Sequence, residues 1–189
     1  MTKSTKSRIL NFISLLAIIL LIVPQTRQFI QVWFHKGFSY VNQSSLIEEV
    51  NRSAIANTRW ILKSDKNTTL NLEELKGQVV LINFWATWCP PCIAEMPSLQ
   101  TLYNDYNEKV VFLFVTHDDF ETVEKFKIQR EFNFEVFNPI TEIPSELKTS
   151  SIPRTFVINK NGEIVIDESG AVNWNSDKVR KQLNNLLLE

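Results

Sequence analysis

The chain has 189 residues and a formal net charge of −1 at pH 7, and 44% of its residues are hydrophobic. This length allows one globular domain plus an appendage. Residues 1–36 hold five Lys or Arg and no acid, which leaves 15 Lys or Arg against 21 Asp or Glu in the rest of the chain. An acidic domain of this kind argues against a nucleic-acid partner.

The first predicted element is an apolar segment at the N-terminus. Residues 9–23 are apolar apart from two polar residues, and three basic residues precede them: Lys3, Lys6 and Arg8. This is the pattern of a secretory signal or a signal anchor, although the run is short for a span of about 20 residues. Because no small-x-small cleavage site follows it, we expect an uncleaved anchor over residues 1–26 rather than a removed signal. The positive-inside rule then places the rest of the chain outside the cytoplasm.

Residues 27–54 form a mixed stretch to which we assign no chemistry. It is compatible with a membrane-surface helix followed by a tether, and we interpret it as a juxtamembrane linker. The globular domain is then predicted over residues 55–189.

A hairpin and a buried strand open the predicted domain. Residues 57–62 and 68–72 flank a turn-like triplet at 65–67, so they predict a short hairpin ahead of the main sheet. Residues 79–84 form a nearly continuous apolar run, which is typical of a strand buried on both faces.

The most informative motif follows that strand. It is Trp88-Cys89-Pro90-Pro91-Cys92, which contains both cysteines of the chain. Two thiols at this spacing in the first turn of a helix close into a disulfide with little backbone movement, and the positive end of the helix dipole favours the thiolate of the first. A structural staple is the alternative, but so short a loop removes little unfolded-state entropy. A zinc site would need about four ligands, and the chain adds only two histidines without finger-like spacing. We therefore predict a redox pair.

Regular patterns continue to the C-terminus. A helix is predicted from the cysteines onward, with apolar residues at intervals of three and four and an expected kink at Pro97. Residues 110–116 predict a second buried strand, and Asp119 can cap a helix after it. The Asn-Gly pair at 161–162 predicts a hairpin, and Ser176 caps a last helix. These elements predict an α/β fold with a central mixed sheet flanked by helices.

Three motifs of the chain occur in the order found in a known bacterial family. They are NFWATWCPPC at 83–92, EMP at 95–97 and IPRTFVI at 152–158. Over residues 55–189 the chain therefore resembles the thioredoxin superfamily, and within it the membrane-tethered TlpA/ResA-like thiol-disulfide oxidoreductases. The resemblance implies a thioredoxin-like fold, export of the domain, and disulfide exchange on protein substrates.

The predicted catalytic residues are Cys89, Cys92 and Glu95. Cys89 comes before the first helical turn and should be the more exposed sulfur that attacks a partner, whereas Cys92 lies one turn in and should resolve the mixed disulfide. Glu95 lies three residues after Cys92 and thus on the same face. If its carboxyl group is screened from water its pKa rises, and it can hold or deliver a proton. A surface glutamate favoured by the helix N-terminus is the alternative. The resemblance favours the proton role, because Asn83 stands where cytoplasmic thioredoxins carry a buried aspartate.

Predicted substrate contacts surround the two sulfurs. The resemblance implies a cis Ile152-Pro153 bond facing the cysteines, with the backbone of Ile152 recognising an extended substrate by strand addition. Without the resemblance Pro153 would be an ordinary trans proline entering a strand. Arg154, where relatives place a small or polar residue, is expected to add a positive charge beside the site.

The aromatic and proline residues of the motif have separate expectations. Trp88, Pro90 and Pro91 are assigned to the wall of the substrate site, and Trp85 to the core. His117 is expected to be a solvent-facing loop residue rather than a catalyst.

The sequence favours a reductase over an oxidase of the same fold. Pro90 and Pro91 lack N–H groups, so fewer donors stabilise the Cys89 thiolate, and a less stabilised thiolate is a better reductant. The expected redox centre is the Cys89–Cys92 disulfide, without a further cofactor or metal. A non-catalytic module that binds peptides or metal is the alternative from another class.

The expected location is a bacterial cytoplasmic membrane, with a single pass and the domain facing the periplasm or outer side. The expected partners are exported proteins with thiols or disulfides, with apocytochrome c as one candidate client, and a membrane electron donor.

Overall fold

Eight strands form one mixed sheet in the computed structural model, which describes residues 8–15, 23–56 and 58–189. The strands are β1 (Ser53–Ala54), β2 (Ile61–Ser64), β3 (Thr69–Asn71), β4 (Val79–Phe84), β5 (Val110–Val115), β6 (Val136–Pro139), β7 (Arg154–Ile158) and β8 (Glu163–Ser169). Their order across the sheet is β1-β8-β7-β4-β5-β6-β2-β3. The neighbours β4, β5 and β6 run parallel, and β7 pairs antiparallel with β4. The predicted mixed sheet is confirmed.

Helices flank this sheet. The α-helices with assigned bounds are α1 (Pro24–Ser39), α2 (Pro90–Tyr106), α3 (Phe120–Arg130) and α4 (Asp177–Leu188), and residues 8–15 are also helical. Short 3₁₀ helices occupy Glu49–Asn51, Leu72–Leu75 and Ser145–Leu147. The predicted caps are confirmed, because Asp119 accepts from the N–H of Thr122 and Ser176 accepts from the N–H of Val179.

Strand β4 divides the core into two clusters, because its six residues are all buried. Leu81 belongs to the larger cluster, which also contains side chains of α2, α3 and α4. Ile82 and Phe84 point the other way, into a smaller cluster with residues of the 3₁₀ helices at 72–75 and 145–147. The alternation of a strand therefore assigns each side chain near the end of β4 to one face of the sheet.

The strands predicted at 57–62 and 68–72 are shorter than expected, and they lie at an edge of the main sheet. β2 and β3 pair antiparallel, and β2 also pairs with β6. Because β2 has this second neighbour, the two strands extend the sheet instead of standing apart from it.

The turn between β7 and β8 differs from a two-residue turn. Gly162 has a φ of 81°, whereas Asn161 is not among the described residues with positive φ. The side chain of Asn159 accepts hydrogen bonds from the N–H groups of Asn161 and Glu163. The side chain of Asn159 therefore stabilises this longer turn, whereas a two-residue Asn-Gly turn would need no such acceptor.

The segment predicted as a linker, residues 27–54, does not behave as one. Helix α1 lies along α2, and β1 pairs with β8. Between them Ser44 is buried and donates to Gln182 of α4. The boundary expected at residue 55 therefore lies inside the folded domain.

The predicted N-terminal anchor falls partly outside the described residues, since residues 1–7 and 16–22 are not among them. Within the described ranges, no helix has the length and apolar character needed to span a bilayer. The anchor over residues 1–26 stays a prediction.

Candidate functional site

The two cysteines form a disulfide at the N-terminus of α2, the helix that follows β4. Their Cα atoms are 5.3 Å apart. Cys89 is the N-cap of α2, and its Sγ accepts from the N–H of Cys92 at 3.3 Å. Pro90 and Pro91 occupy the first helical positions, where their missing N–H groups leave no helical bond unmade. The first N–H of the helix thus points at the sulfur that would carry negative charge after reduction.

Both sulfur-bearing residues are buried in this oxidised state. Cys89 is 3% exposed and Cys92 is 0% exposed. Cys89 is thus far less open than its position before the helix suggested, and the carbonyl oxygen of Ile152 lies against its sulfur. The prediction that Cys89 is the sulfur that attacks a partner stays a prediction.

The bond between Ile152 and Pro153 is cis, as the resemblance implied. The carbonyl oxygen of Ile152 lies 3.8 Å from Cys89 Sγ. β7 begins at Arg154, directly after Pro153, and it pairs with β4, the strand that precedes the disulfide. These two neighbouring strands therefore bring the proline and the disulfide together. Ile152 itself is half-buried, which places its backbone beside the sulfur at the rim of the site.

Glu95 is a buried residue of the active-site helix α2, with 1% of its surface exposed. Its Oε1 accepts from Asn83 Nδ2 at 2.8 Å. Its Oε2 accepts from the backbone N–H of Val172 at 3.2 Å and from Trp174 Nε1 at 3.1 Å. The interpretation of Glu95 as a surface residue is therefore wrong, and its carboxyl group contacts Val172 and Trp174, two residues of the larger core cluster that also contains Cys92.

Burial raises the pKa of Glu95 to about 8. Loss of hydration is the largest cause, and the hydrogen bonds from Trp174, Asn83 and Val172 act in the opposite direction because they favour the charged form. A carboxyl group with a pKa in this range exchanges a proton near neutral pH, where an ordinary glutamate is already ionised.

Asn83 connects this acid to the strand next to β4. Its Nδ2 also donates to Thr155 Oγ1 at 2.8 Å, and the two residues are directly paired across β4 and β7. Within the described part of the chain, Asn83 Oδ1 is buried and has no hydrogen-bond partner. When Glu95 is protonated its O–H needs an acceptor, and a rotation of the Asn83 amide brings this oxygen to it.

Arg154 does not bring a positive charge to the disulfide. Its guanidinium forms a two-pronged pair with Asp167, with distances of 2.5 and 2.6 Å, and stacks on the ring of Phe156. Since Thr155 faces Asn83, its neighbour Arg154 points to the opposite side of the sheet. The expectation that Arg154 is a substrate contact beside the site is thus not met, because its charge is offset and directed away.

The remaining site residues lie as follows. Trp88, the residue before Cys89, is 67% exposed, and Pro90 and Pro91 are half-buried. Trp85 is buried and packs against Phe126 with ring centroids 5.4 Å apart, so its assignment to the core is confirmed. Trp88 therefore remains available as a wall that a client can touch.

Sequence reasoning missed the partners of Glu95. Val172 and Trp174 are far from Glu95 along the chain, and one of these two donors is a backbone N–H that no side-chain pattern reveals. Their signal in the sequence was the polar Asn83 within an otherwise apolar buried strand, which requires a buried polar network around it. Within the described ranges, no three His, Cys, Asp or Glu side chains are grouped so that they could hold a metal ion.

Comparison with known proteins agrees with this geometry. The model of the Redoxin family matches residues 49–187. Residues of the chain are 38% identical to the thiol-disulfide oxidoreductase ResA of Oceanobacillus iheyensis over 122 residues, covering 63% of this chain and 62% of that relative. This chain thus spans less than two thirds of that relative's length. ResA of Halalkalibacterium halodurans is 29% identical over 72% of this chain and 79% of its own length.

A solved structure supports the fold alone. The crystal structure of a DsbF homologue from Corynebacterium diphtheriae is similar with a TM-score of 0.60 at 17% identity, and the match covers 75% of this chain and 93% of that one. The α/β architecture described above is thus of the thioredoxin-like kind.

Proposed function

The chain belongs to the Redoxin family, and on that premise we propose that it is a thiol-disulfide oxidoreductase that reduces disulfides in proteins outside the cytoplasm. The observation that carries the proposal is the Cys89–Cys92 pair, which closes at the N-terminus of α2 with the carbonyl oxygen of Ile152 3.8 Å from Cys89 Sγ. Its ResA relatives are named thiol-disulfide oxidoreductases.

The reaction starts from the reduced pair. The Cys89 thiolate attacks one sulfur of a client disulfide, a mixed disulfide forms, and the other client sulfur leaves as a thiolate. Cys92 then attacks Cys89 Sγ and releases the second client thiol. Two electrons pass to the client, and the pair ends as the disulfide seen in the structure. A dithiol donor must reverse these steps to restore the reduced enzyme.

We assign to Glu95 the transfer of the Cys92 proton, both when the cysteine pair is oxidised and when it is reduced. Cys92 must lose its proton before it attacks, and the Glu95 carboxylate accepts it. When a donor reduces the disulfide, Cys92 leaves as a thiolate and the protonated carboxyl group returns the proton. A pKa of about 8 suits both tasks, because the protonated form predominates at pH 7 while roughly one carboxyl group in ten is ionised and can accept a proton.

One feature of the motif supports reduction over oxidation. Pro90 and Pro91 bring no N–H to the Cys89 sulfur, so its thiolate is less stabilised than with two donors there. The N-terminal apolar segment after basic residues supports a position at the outer side of a cytoplasmic membrane, where a membrane donor would re-reduce the pair. Apocytochrome c is one candidate client.

The reduction potential of the Cys89/Cys92 pair, measured against glutathione, tests the direction. A reductase is expected near the value of about −270 mV that thioredoxin shows, whereas a value near about −120 mV would identify an oxidase. Trapping tests the chemistry itself. Cys92→Ser should form a stable mixed disulfide with a disulfide-bonded CxxCH peptide, and the matched variant Cys89→Ser should form none. If neither variant traps the peptide, the pair does not act as an exchange centre.

A further inference from the structure

Helix α1 presents its polar side to the protein and its apolar side to the outside. Gln28, Gln31 and His35 are half-buried and Ser39 is buried on the inner side. The outer side has large apolar side chains that are 44% to 72% exposed: Phe29, Ile30, Trp33, Phe34 and Phe38. A surface helix of a protein in water shows the opposite arrangement.

Hydrogen bonds at its C-terminal end hold α1 in this orientation. The carbonyl oxygen of Ser39 accepts from the N–H of Asn173 at 3.1 Å, and Asn42 Nδ2 donates to the carbonyl oxygen of Ala171 at 3.2 Å. Val32 packs against the larger core cluster. The helix therefore cannot turn its apolar side inward without breaking these contacts.

Helix α1 contacts α2, the helix that carries the disulfide, along the outer face of α2. A cavity of about 310 Å³ lies between the two helices, and Val32, Ile93 and Pro97 are among the residues that line it. Phe29 and Trp33 line it as well, so these two residues lie at the edge of the outer side that is nearest to α2. Ile93 and Ala94, directly after Cys92, are buried at 3% and 5% exposure. α1 thus covers the first turns of the helix that carries the disulfide.

The charge of the N-terminal part indicates what covers the outer side of α1. Residues 27–47, which follow the predicted anchor, contain Arg27 and Lys36 and no Asp or Glu, so this part of the chain is attracted to anionic lipids. The chain before α1 is apolar as well, and the described residues Leu10, Phe12 and Leu15 are 57% to 68% exposed. These features together favour a bilayer with anionic lipids over an aqueous or a protein environment.

The dimensions and residue types of α1 fit a position in the plane of the membrane. Its 16 residues span about 24 Å at about 1.5 Å per residue, which is short of the roughly 30 Å hydrocarbon core. Tryptophan and tyrosine are favoured at the headgroup level, where an aromatic ring meets both water and lipid. Trp33 and Tyr40 are both exposed, at 63% each.

We propose that α1 is an interfacial helix whose aromatic side lies in the headgroup region of the bilayer, while its polar side holds α2 and the disulfide next to the membrane surface. Given the proposed exchange activity, the clients and donor of this protein then carry their sulfurs close to the bilayer, in membrane proteins or in chains held at its surface.

Spin labels test this placement in the full-length protein. The labelled variants are Phe34→Cys and Phe38→Cys on the outer side of α1, with Asn185→Cys on the exposed side of α4 as the matched control, each made with Cys89→Ser and Cys92→Ser. The proteins are reconstituted into vesicles of phosphatidylethanolamine and phosphatidylglycerol. Collision rates with oxygen, which concentrates in lipid, are compared with those of a water-soluble nickel complex.

The proposal expects labels at 34 and 38 to collide mainly with oxygen and the label at 185 to collide mainly with nickel. Nickel preference at 34 and 38 in vesicle-bound protein would overturn the interfacial helix but not the proposed exchange activity, which the trapping experiment tests separately. Protection from both reagents would show a protein partner on this side instead, and dipolar broadening would identify it as a second copy. A protein that does not bind the vesicles at all would contradict both the anchor and the interfacial helix.

Discussion

At the scale of single residues, Glu95 shows how a buried acid can be held ready for proton exchange. Burial favours the neutral form, while three N–H donors favour the charged form. Burial is the stronger effect, so the pKa rises to about 8 rather than falling. With fewer donors the pKa would rise further, and with more water around the carboxyl group it would return toward 4.5.

Replacing this acid should slow exchange. We expect Glu95→Gln to reduce the rate of single-turnover disulfide reduction by about 10²-fold, a usual scale for general acid–base catalysis, because the amide cannot exchange a proton. The change in rate near pH 8 should also disappear. Stopped-flow measurements between pH 5 and 10 check this, with Glu124→Gln on the exposed side of α3 as the control. Identical pH profiles for Glu95→Gln and the unmodified protein would leave catalysis to the two sulfurs.

The same residue should make stability depend on pH. Because the pKa is about 8 in the folded state and near 4.5 in the unfolded state, the unfolded state releases its proton first as the pH rises. The free energy of unfolding of the oxidised protein should therefore fall between pH 4.5 and 8 relative to Glu95→Gln, and stay level above that. The full difference is on the order of 5 kcal/mol, at about 1.4 kcal/mol for each pKa unit.

Urea unfolding of the oxidised protein at pH 5, 7 and 9 measures this difference. Comparison with Glu95→Gln removes the contribution of the other titrating groups, which both proteins share. An equal pH dependence in the two proteins would mean that Glu95 has an ordinary pKa, and its proton role would then lose its support.

At the scale of elements, a buried ion pair joins the β2–β3 turn to the rest of the domain. Lys127 of α3 lies 2.6 Å from Asp65, and their side chains are 10% and 9% exposed. The second oxygen of Asp65 accepts from the N–H of Val136 in β6. Three elements therefore meet at one carboxylate, which holds the edge strands against the sheet.

Removing the charge of one partner of this ion pair should destabilise the protein. Lys127→Met leaves Asp65 buried without its partner, so we expect the free energy of unfolding to fall by about 3 kcal/mol. The double change Lys127→Met with Asp65→Asn should recover most of the loss, because the amide keeps an acceptor for Val136. Chemical denaturation measures both, and Lys125→Met, which removes an exposed pair with Glu121 on the same helix, should have almost no effect. If Lys127→Met lowered the free energy of unfolding no more than Lys125→Met does, the buried pair would not be what holds the hairpin.

At the scale of the whole molecule, the N-terminal part and the redox domain are connected by more than a tether. Helix α1 covers α2, and its end is bonded to the loop that supplies Val172 and Trp174 to Glu95. A change in how the N-terminal part is held can thus reach the acid at the active site through a few hydrogen bonds.

The anchor can be tested on the protein taken from membranes. We expect the extracted protein to retain its N-terminal segment, because basic residues precede the apolar run and no small-x-small site follows Val23. Intact-mass measurement checks this. A mature species that starts after residue 23 would show that the segment is a removed signal.

Local patterns in the sequence were sufficient for the redox pair and the elements around it. The spacing of Cys89 and Cys92 restricts the geometry within one helical turn, the apolar run of β4 predicts burial on both faces, and Asp119 and Ser176 mark helix starts by their own side chains. These features depend on neighbours within about four residues, so the sequence alone determined them.

Long-range contacts decided the rest. The directions of Arg154 and Asn83 follow from the pairing of β7 with β4, and the pKa of Glu95 depends on burial and on Trp174, which is 79 residues away. The packing of α1 on α2 likewise escaped sequence analysis, because the polar side of that helix faces the protein. Such features depend on which distant segments meet and how much water they exclude, and only the tertiary structure decides that.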